Sequence, residues 1–249
     1  MSVGSRSFAA MTETHQTTAA STAASTALLD AARAGLTELA DQRKAPDMQR
    51  YMKSEMPFRG VPSPERRTLG KRLFTEYPLS DVDAWRATVL SLWRDAEYRE
   101  ERYLAVDLTG HRRYAAWQTP DLLPMYEELI VTGAWWDFVD ELANRRVGPL
   151  LRAYRDTLDP VLRRWATDAD LWRRRTSIIC QLGAKEDTDT DLLTYCIEAN
   201  IGDRDFFIRK GIGWALRQFA RTEPTWVRAF VDAHPALSPL SRKEAMKHL

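Results

Sequence analysis

The sequence is poor in the residues that build metal centres and disulfide frameworks. It has two cysteines in 249 residues, Cys180 and Cys196, and no CxxC pair. Both lie in apolar, helical-looking stretches, which favours buried thiols in a reducing compartment over a functional role. The four histidines are scattered without zinc-ligand spacing. We therefore expect no metal site and no other cofactor.

Long apolar runs are also missing. No run approaches the ~20 residues of a membrane span, and there is no signal-peptide core. Lys and Arg (36) balance Asp and Glu (35), so the net charge of +1 identifies no partner. We expect a soluble, cytoplasmic monomer with no membrane contact and no obligate protein partner.

Strand signals are absent too, because no stretch alternates convincingly between apolar and polar residues. From Ala27 onward the apolar residues recur with a helical period, which predicts an all-α domain over residues 27–249. Residues 1–26 are rich in Ser, Thr and Ala with little to bury, so we predict that they are disordered.

Several helix starts share a small polar residue followed by proline, and one reads as a capping box. These predicted starts are Ser63-Pro64, Thr119-Pro120, Asp159-Pro160, and Ser241 with Glu244. Their spacing suggests helix–turn–helix units of roughly 35–45 residues, the range of HEAT-like repeats. Such units stack into a solenoid with a concave face that can bind a long ligand.

Two adjacent tryptophans occur in LIVTGAWWDFVDELA, residues 129–143. We expect one helix to end at Gly133 and another to begin directly after it. On that helix Trp135 shares an apolar side with Val139 and Leu142, so we predict that Trp135 is a core residue.

The second tryptophan of this stretch lies on a different side of the helix. Trp136 and Asp140 are at i and i+4, so the indole and the carboxylate sit together. Asp137 falls in the first turn, where an acid stabilises the helix dipole. For Trp136 a core aromatic and a functional indole are equally weighted alternatives.

A second stretch, DFFIRKGIGWALRQFAR over residues 205–221, carries two stripes. One is apolar: Ile208, Ile212, Ala215 and Phe219. The other places an indole among cations: Lys210, Trp214, Arg217 and Arg221. Basic side chains beside an aromatic suit a phosphate backbone with a base or sugar next to it. The alternative is a tryptophan packed under long arginine stems.

A third stretch, DADLWRRRTSIICQLG over residues 168–183, places Arg175 on a mostly apolar helix face. Such an arginine needs a partner, either an internal carboxylate or a bound anion. From Arg145 to Arg175 nine arginines face four acids, a local balance of 9 − 4 = +5. A charge run is usually a solvated face, but here it lies between two Trp-bearing helices, which favours a nucleic-acid groove.

These stretches, together with RYMKSEMPFRGVPSPERR and LSPLSRKEAMKHL, resemble the DNA alkylation repair proteins of the AlkD type. The resemblance runs over about residues 47–249. It implies a HEAT-like α-solenoid and a DNA glycosylase that releases purines made cationic by alkylation at N3 or N7. Such an enzyme acts on duplex DNA in base excision repair without enclosing the base in a pocket, and would be nucleoid-associated when bound.

The resemblance also implies roles for individual residues. The catalytic residues would be Trp136, Asp140 and Trp214. The DNA contacts would include Arg175 on a phosphate and Tyr51 on the DNA-facing surface, and we add Lys210, Arg217 and Arg174. The indoles would stabilise positive charge by cation–π contacts. Asp140, ionised with an ordinary pKa near ~4, would stabilise the sugar cation. The alternative is a non-catalytic scaffold that binds nucleic acid or protein.

Overall fold

The structure is a computed structural model that describes residues 25–249, and within that range it contains helices and turns but no strand. This confirms the predicted all-α fold. The first helix, α1, is described over residues 25–38. Residues 25 and 26, which we assigned to the disordered segment, therefore belong to a helix. Residues 1–24, the rest of that segment, lie outside the described residues.

The remaining elements follow in short steps. The α-helices after α1 are α2 (Ala45–Met52), α3 (Ser63–Glu76), α4 (Val82–Arg94), α5 (Arg99–Thr109), α6 (Leu123–Gly133), α7 (Trp136–Leu142), α8 (Gly148–Ala153), α9 (Arg155–Ala166), α10 (Leu171–Ile179), α11 (Thr190–Glu198), α12 (Phe206–Phe219), α13 (Pro224–Ala233) and α14 (Pro239–Ala245). Short 3₁₀ segments span Arg112–Trp117, Pro120–Leu122 and Lys185–Asp187, and a π-helical turn spans Ala143–Val147.

The chain divides between Trp117 and Gln118 into two compact units, inside the range that we predicted as one domain. In the first unit, α5 packs against both α3 and α4. Its core holds large side chains with almost no exposed surface, among them Trp85, Trp93 and Leu104. Burying residues of this size is the main source of stability for such a unit.

In the second unit, α12 packs against α10 on one side and α14 on another. The apolar stripe of α12 predicted from the sequence is buried, as expected from its helical spacing: Ile208, Ile212, Ala215 and Phe219. The two cysteines are also buried and free, as predicted. Burial raises the pKa of Cys196 to about 12, so this thiol is not a nucleophile at neutral pH.

The predicted helix starts have mixed outcomes. Ser63 begins α3 with Pro64 in the first turn, and Thr119 precedes the 3₁₀ segment that starts at Pro120. The prediction at Asp159-Pro160 is wrong, because Pro160 lies inside α9. The Asp159 carboxylate instead accepts a hydrogen bond from Arg163 at 2.8 Å, one turn later on the same helix.

None of the helices between residues 25 and 249 is both long enough and apolar enough to cross a bilayer.

Candidate functional site

The backbone changes direction immediately before Trp136. Helix α6 ends at Gly133, as predicted, and Ala134 follows in the left-handed region with φ 43°. Trp135 is extended (φ −151°, ψ 147°) and precedes the first residue of α7. A left-handed alanine costs roughly 1–2 kcal/mol, which the packing around this turn must offset.

The prediction that Trp135 is a core residue on an apolar stripe of the helix is therefore wrong, because Trp135 is not part of the helix. Trp135 lies before α7 and is partly exposed. Its ring packs 5.3 Å from that of Phe207 and 6.3 Å from that of Trp172, centroid to centroid. The indole thus joins an aromatic cluster instead of the stripe that holds Val139.

Helix α7, the π-helical turn and α8 follow one another without a break and form one continuous helical rod. The amide of Gly148 donates to the carbonyl of Ala143, five residues back. Pro149 has no N–H to offer the carbonyl of Arg145, which accepts instead from the Arg146 guanidinium at 2.7 Å. A π turn of this kind adds a residue to the helix and is frequent near functional sites. Here it directly follows the turn that carries Asp140.

An ion pair between Asp140 and Arg175 lies at the centre of the candidate site. Arg175 Nε donates to Asp140 Oδ1 at 2.8 Å, and Nη2 donates to Oδ2 at 2.9 Å. The third nitrogen, Nη1, donates to the carbonyl of Phe207. The pair therefore links α7, α10 and α12 through one guanidinium.

This pair also decides between the two partners that the sequence left open for Arg175. The partner is an internal carboxylate, and the arginine side chain is only 4% exposed while that of Asp140 is 16% exposed. The three hydrogen bonds leave one N–H each on Nη1 and Nη2. A phosphate contact by Arg175 stays a prediction, and it would have to use those two hydrogens.

The pKa of Asp140 is raised above the ordinary value near ~4 that we expected. Burial raises the pKa of Asp140, the hydrogen bonds and charge of Arg175 oppose that rise, and the charge of Asp137 adds to it. Both carboxylate oxygens accept N–H bonds from one guanidinium fork, a geometry that suits the ionised form. Asp140 is thus an ionised carboxylate that is held in a fixed orientation.

Each of the two predicted catalytic tryptophans lies one helical turn from a residue at this pair, Trp136 from Asp140 and Trp214 from Gly211. Trp136 precedes Asp140 by four residues of α7, about 6 Å along the axis. On α12, a Cβ added at Gly211 would lie 3.1 Å from Arg175 Nη1, so this face meets the arginine. Trp214 follows Gly211 by one turn. Both indoles are partly exposed, so neither is a fully buried core aromatic.

The two cations that flank Trp214 are not free. Lys210 Nζ lies 2.6 Å from Glu244 Oε1, and Arg217 Nη1 donates to Glu244 Oε2. Glu244 belongs to α14 and its side chain is 14% exposed. We refer to Lys210, Arg217 and Glu244 as the cation clamp. Glu244 was not predicted as a partner, because the local pattern Ser241 to Glu244 indicates a capping box.

That capping box is wrong, and the structure shows what holds α14 in place. Ser238 caps the helix, because its hydroxyl accepts from the amide of Ser241 at 3.0 Å. The Ser241 hydroxyl donates to the carbonyl of Arg209 on α12 at 2.8 Å. A Cβ at Gly213 would lie 2.5 Å from Glu244 Cβ. The absence of a side chain at Gly213 therefore lets α14 approach α12 closely.

Seven of the nine arginines between residues 145 and 175 form ion pairs, so the local balance of +5 is largely neutralised by acids. That the run lines a nucleic-acid groove stays a prediction. Arg174, one of the predicted DNA contacts, is bound to Asp203 at 3.1 Å and to two backbone carbonyls. Most partners come from outside the run. The acids that pair with its arginines are Glu127, Asp140, Glu141, Asp159, Asp168, Asp189 and Asp203.

Tyr51 lies in the first unit, whereas the other predicted site residues lie in the second. It is at the end of α2 and is 76% exposed. The next turn ends at Lys53, which is left-handed at φ 50°. An aromatic side chain so exposed is available to a ligand. In the same range, residues 25–249, no group of three or more His, Cys, Asp or Glu side chains is arranged to hold a metal ion.

Comparison with known proteins gives consistent matches. A family model described as "DNA alkylation repair enzyme" matches residues 32–249. A solved structure of a predicted DNA alkylation repair enzyme from Enterococcus faecalis is 30% identical, with a TM-score of 0.76, over 84% of this chain and 96% of that one.

More distant structures share the fold. The protein smu.31 and the protein AlkD2, both from Streptococcus mutans, are each 18% identical with a TM-score of 0.55. Each match covers 72% of this chain, and 90% and 88% of those chains. No curated protein matches the chain. The helical-repeat fold expected from the sequence is thus shared with solved relatives.

Proposed function

Since the chain belongs to the DNA alkylation repair enzyme family, we propose that it is a monofunctional DNA glycosylase acting on duplex DNA. Its substrates would be purines made cationic by alkylation at N3 or N7, such as 3-methyladenine and 7-methylguanine. One observation carries the proposal: Arg175 holds the Asp140 carboxylate of α7 and also bonds to α12, and each of these two helices has a partly exposed tryptophan, Trp136 or Trp214. The enzyme would act as a cytoplasmic monomer that associates with the nucleoid on DNA.

The chemistry requires a negative group beside the sugar. When the N-glycosidic bond of a cationic purine breaks, the electron pair leaves with the base and the deoxyribose becomes an oxocarbenium-like cation. An ionised carboxylate stabilises that cation, and losing one such preorganised group typically costs roughly 10²–10³-fold in rate. Asp140 would also position the water that attacks C1′.

The tryptophans would act on the same charge. Indole faces are negative, and a cation over an indole is stabilised by about 0.5–2 kcal/mol. Trp136 on α7 and Trp214 on α12 would contact the nucleotide from two helices. Neither needs to enclose the base, because a cationic purine leaves without being protonated.

A neutral base makes a different demand. It is a poor leaving group and needs a general acid as it departs. Asp140 accepts two hydrogen bonds and offers no proton in that geometry. The described histidines His111, His234 and His248 all lie outside the three stretches that hold Trp136, Asp140, Arg175 and Trp214, and His234 is bound to Glu198 at 3.0 Å. We infer that uracil and hypoxanthine are not substrates.

The test is timed release of free base from matched duplexes that contain 7-methylguanine or 3-methyladenine. Release by the pure protein, abolished or strongly slowed in Asp140→Asn, supports the proposal. Binding to alkylated DNA without release would instead support the scaffold alternative.

A further inference from the structure

The face of α12 that carries Trp214 has an unusual charge arrangement. Lys210 lies about one turn before the indole and Arg217 about one turn after it, and both bind the same carboxylate, Glu244. The side chains are 38%, 20% and 14% exposed in that order. The cation clamp is therefore neither a buried structural pair nor a fully solvated one. It lies at the surface beside a proposed catalytic residue.

The cation clamp resembles an anion-binding site in which the anion is a side chain of the protein itself, the Glu244 carboxylate. An ammonium has three N–H donors and a guanidinium has five, and Glu244 occupies one of each. Proteins bind two oxygens of a phosphate in the same way, with two cationic side chains that donate to one anionic group. The Lys210 hydrogen bond lowers the pKa of Glu244, with Arg217 contributing, so the carboxylate stays charged at neutral pH.

Glu244 cannot easily move away, because α14 is fastened to α12. The missing side chain at Gly213 brings the two backbones together, and the buried Ser241 hydroxyl bonds to the α12 backbone. The packing of α14 against α12 therefore holds the Glu244 carboxylate on the face of α12 that carries Trp214.

We propose that Glu244 is an internal counter-anion that occupies the position of a DNA phosphate between Lys210 and Arg217 and so limits backbone affinity next to Trp214. The inference rests on the proposed function only in taking DNA as the ligand. On this view Glu244 is a specificity-determining residue. It keeps undamaged DNA weakly bound, so that recognition depends on the lesion and not on the backbone.

The size of the effect follows from counterion release. Each phosphate contact changes the slope of log K against log salt by roughly −0.9. Taking 1 M salt as the point where the contact contributes nothing, one added contact at 0.1 M strengthens binding by 10 to the power 0.9, about 8-fold. Glu244→Gln should therefore bind undamaged duplex about 8-fold more tightly, with a slope steeper by about 0.9.

The measurement is fluorescence anisotropy with undamaged duplex DNA between 50 and 200 mM salt. The matched control is Asp159→Asn, which removes one negative charge from a comparable ion pair with Arg163 on α9, a helix that holds none of the proposed site residues. We expect the control to change affinity much less. Equal gains in both variants would reduce the effect to net charge and overturn the proposal.

A second variant keeps the test valid if Glu244→Gln disturbs α14. In the otherwise unchanged protein, Lys210→Met should weaken DNA binding less than 2-fold, because Glu244 already holds that cation. In the Glu244→Gln background the same change should remove the gain. A loss of about 8-fold from Lys210→Met alone would show an open phosphate contact and refute the counter-anion role. Both readouts use binding alone, so they stand even if no base release is found.

Discussion

The Asp140–Arg175 pair gives the sharpest test of how the site is held together. Asp140→Asn leaves Arg175 charged, because an arginine keeps its proton in proteins, and that side chain is 4% exposed. Breaking a buried pair by removing one partner costs about 3–5 kcal/mol. For Asp140→Asn we expect a loss of about 3 kcal/mol in the free energy of unfolding, the lower end of this range, because Asp140 is partly exposed and asparagine keeps one acceptor oxygen. At about 2–4 °C per kcal/mol, the melting temperature should fall by about 6–12 °C.

Arg175→Gln should behave differently, because the residue left behind can change its charge. Removing Arg175 removes the interactions that lower the pKa of Asp140, so burial raises that pKa further. A carboxyl group whose pKa is higher in the folded state stabilises the fold below its unfolded pKa and less as the pH rises through the folded one. The cost of Arg175→Gln should therefore be small at acid pH and grow towards neutral pH. The cost of Asp140→Asn should instead fall somewhat over the same range, because the raised pKa of Asp140 makes the unchanged protein less stable as the pH rises, whereas asparagine does not titrate.

The double variant separates stability from catalysis. Asp140→Asn with Arg175→Gln leaves no unpaired charge at this site, so it should melt above Asp140→Asn alone, while base release stays roughly 10²–10³-fold below the unchanged protein. Thermal melts at two pH values and single-turnover release of 7-methylguanine make the comparison. The reasoning fails if Asp140→Asn melts like the unchanged protein, or if the double variant loses the sum of the two single losses.

Three further predictions follow from the same geometry. Asp137→Asn should move the acid limb of the release rate to lower pH, because Asp137 raises the pKa of Asp140; a pH profile with a limb that stays in place or moves up contradicts this. Trp214→Ala should slow base release with little change in melting temperature. Trp135→Ala should lower the free energy of unfolding by up to roughly 3 kcal/mol, because its contacts with Trp172 and Phe207 are lost. If Trp214→Ala is the less stable of the two variants, Trp214 is a packing residue. Side-by-side release assays should detect 7-methylguanine and 3-methyladenine but not uracil or hypoxanthine, and comparable rates on the neutral bases would refute recognition by charge.

The sequence was informative wherever a single helix determines the outcome. Helical spacing predicted the burial of the α12 stripe, and Trp136 and Asp140 lie one turn apart on one helix, as expected. The apolar surroundings of Arg175 likewise predicted a partnered arginine. Each of these inferences uses only neighbours within a few turns of one helix.

It was less informative where partners are far apart in the chain. Charge counted within residues 145–175 gave +5, but the acids that neutralise those arginines include Glu127, Asp189 and Asp203, which lie outside the window. Glu244 is 27 residues beyond Arg217, and its local pattern matched a capping box. Local sequence patterns do not predict how one helix packs against another.

The π-helical turn between α7 and α8 has a consequence for how this chain is compared with others. It holds one more residue than an α-helix of the same length, so it acts as a register shift inside an otherwise regular rod. In a relative without it, one residue fewer would connect Asp140 to Gly148. An alignment drawn through that rod without a gap would pair each residue on one side with the wrong neighbour, a rotation of about 100° around the axis. Equivalences on either side of Ala143–Val147 should therefore be assigned separately.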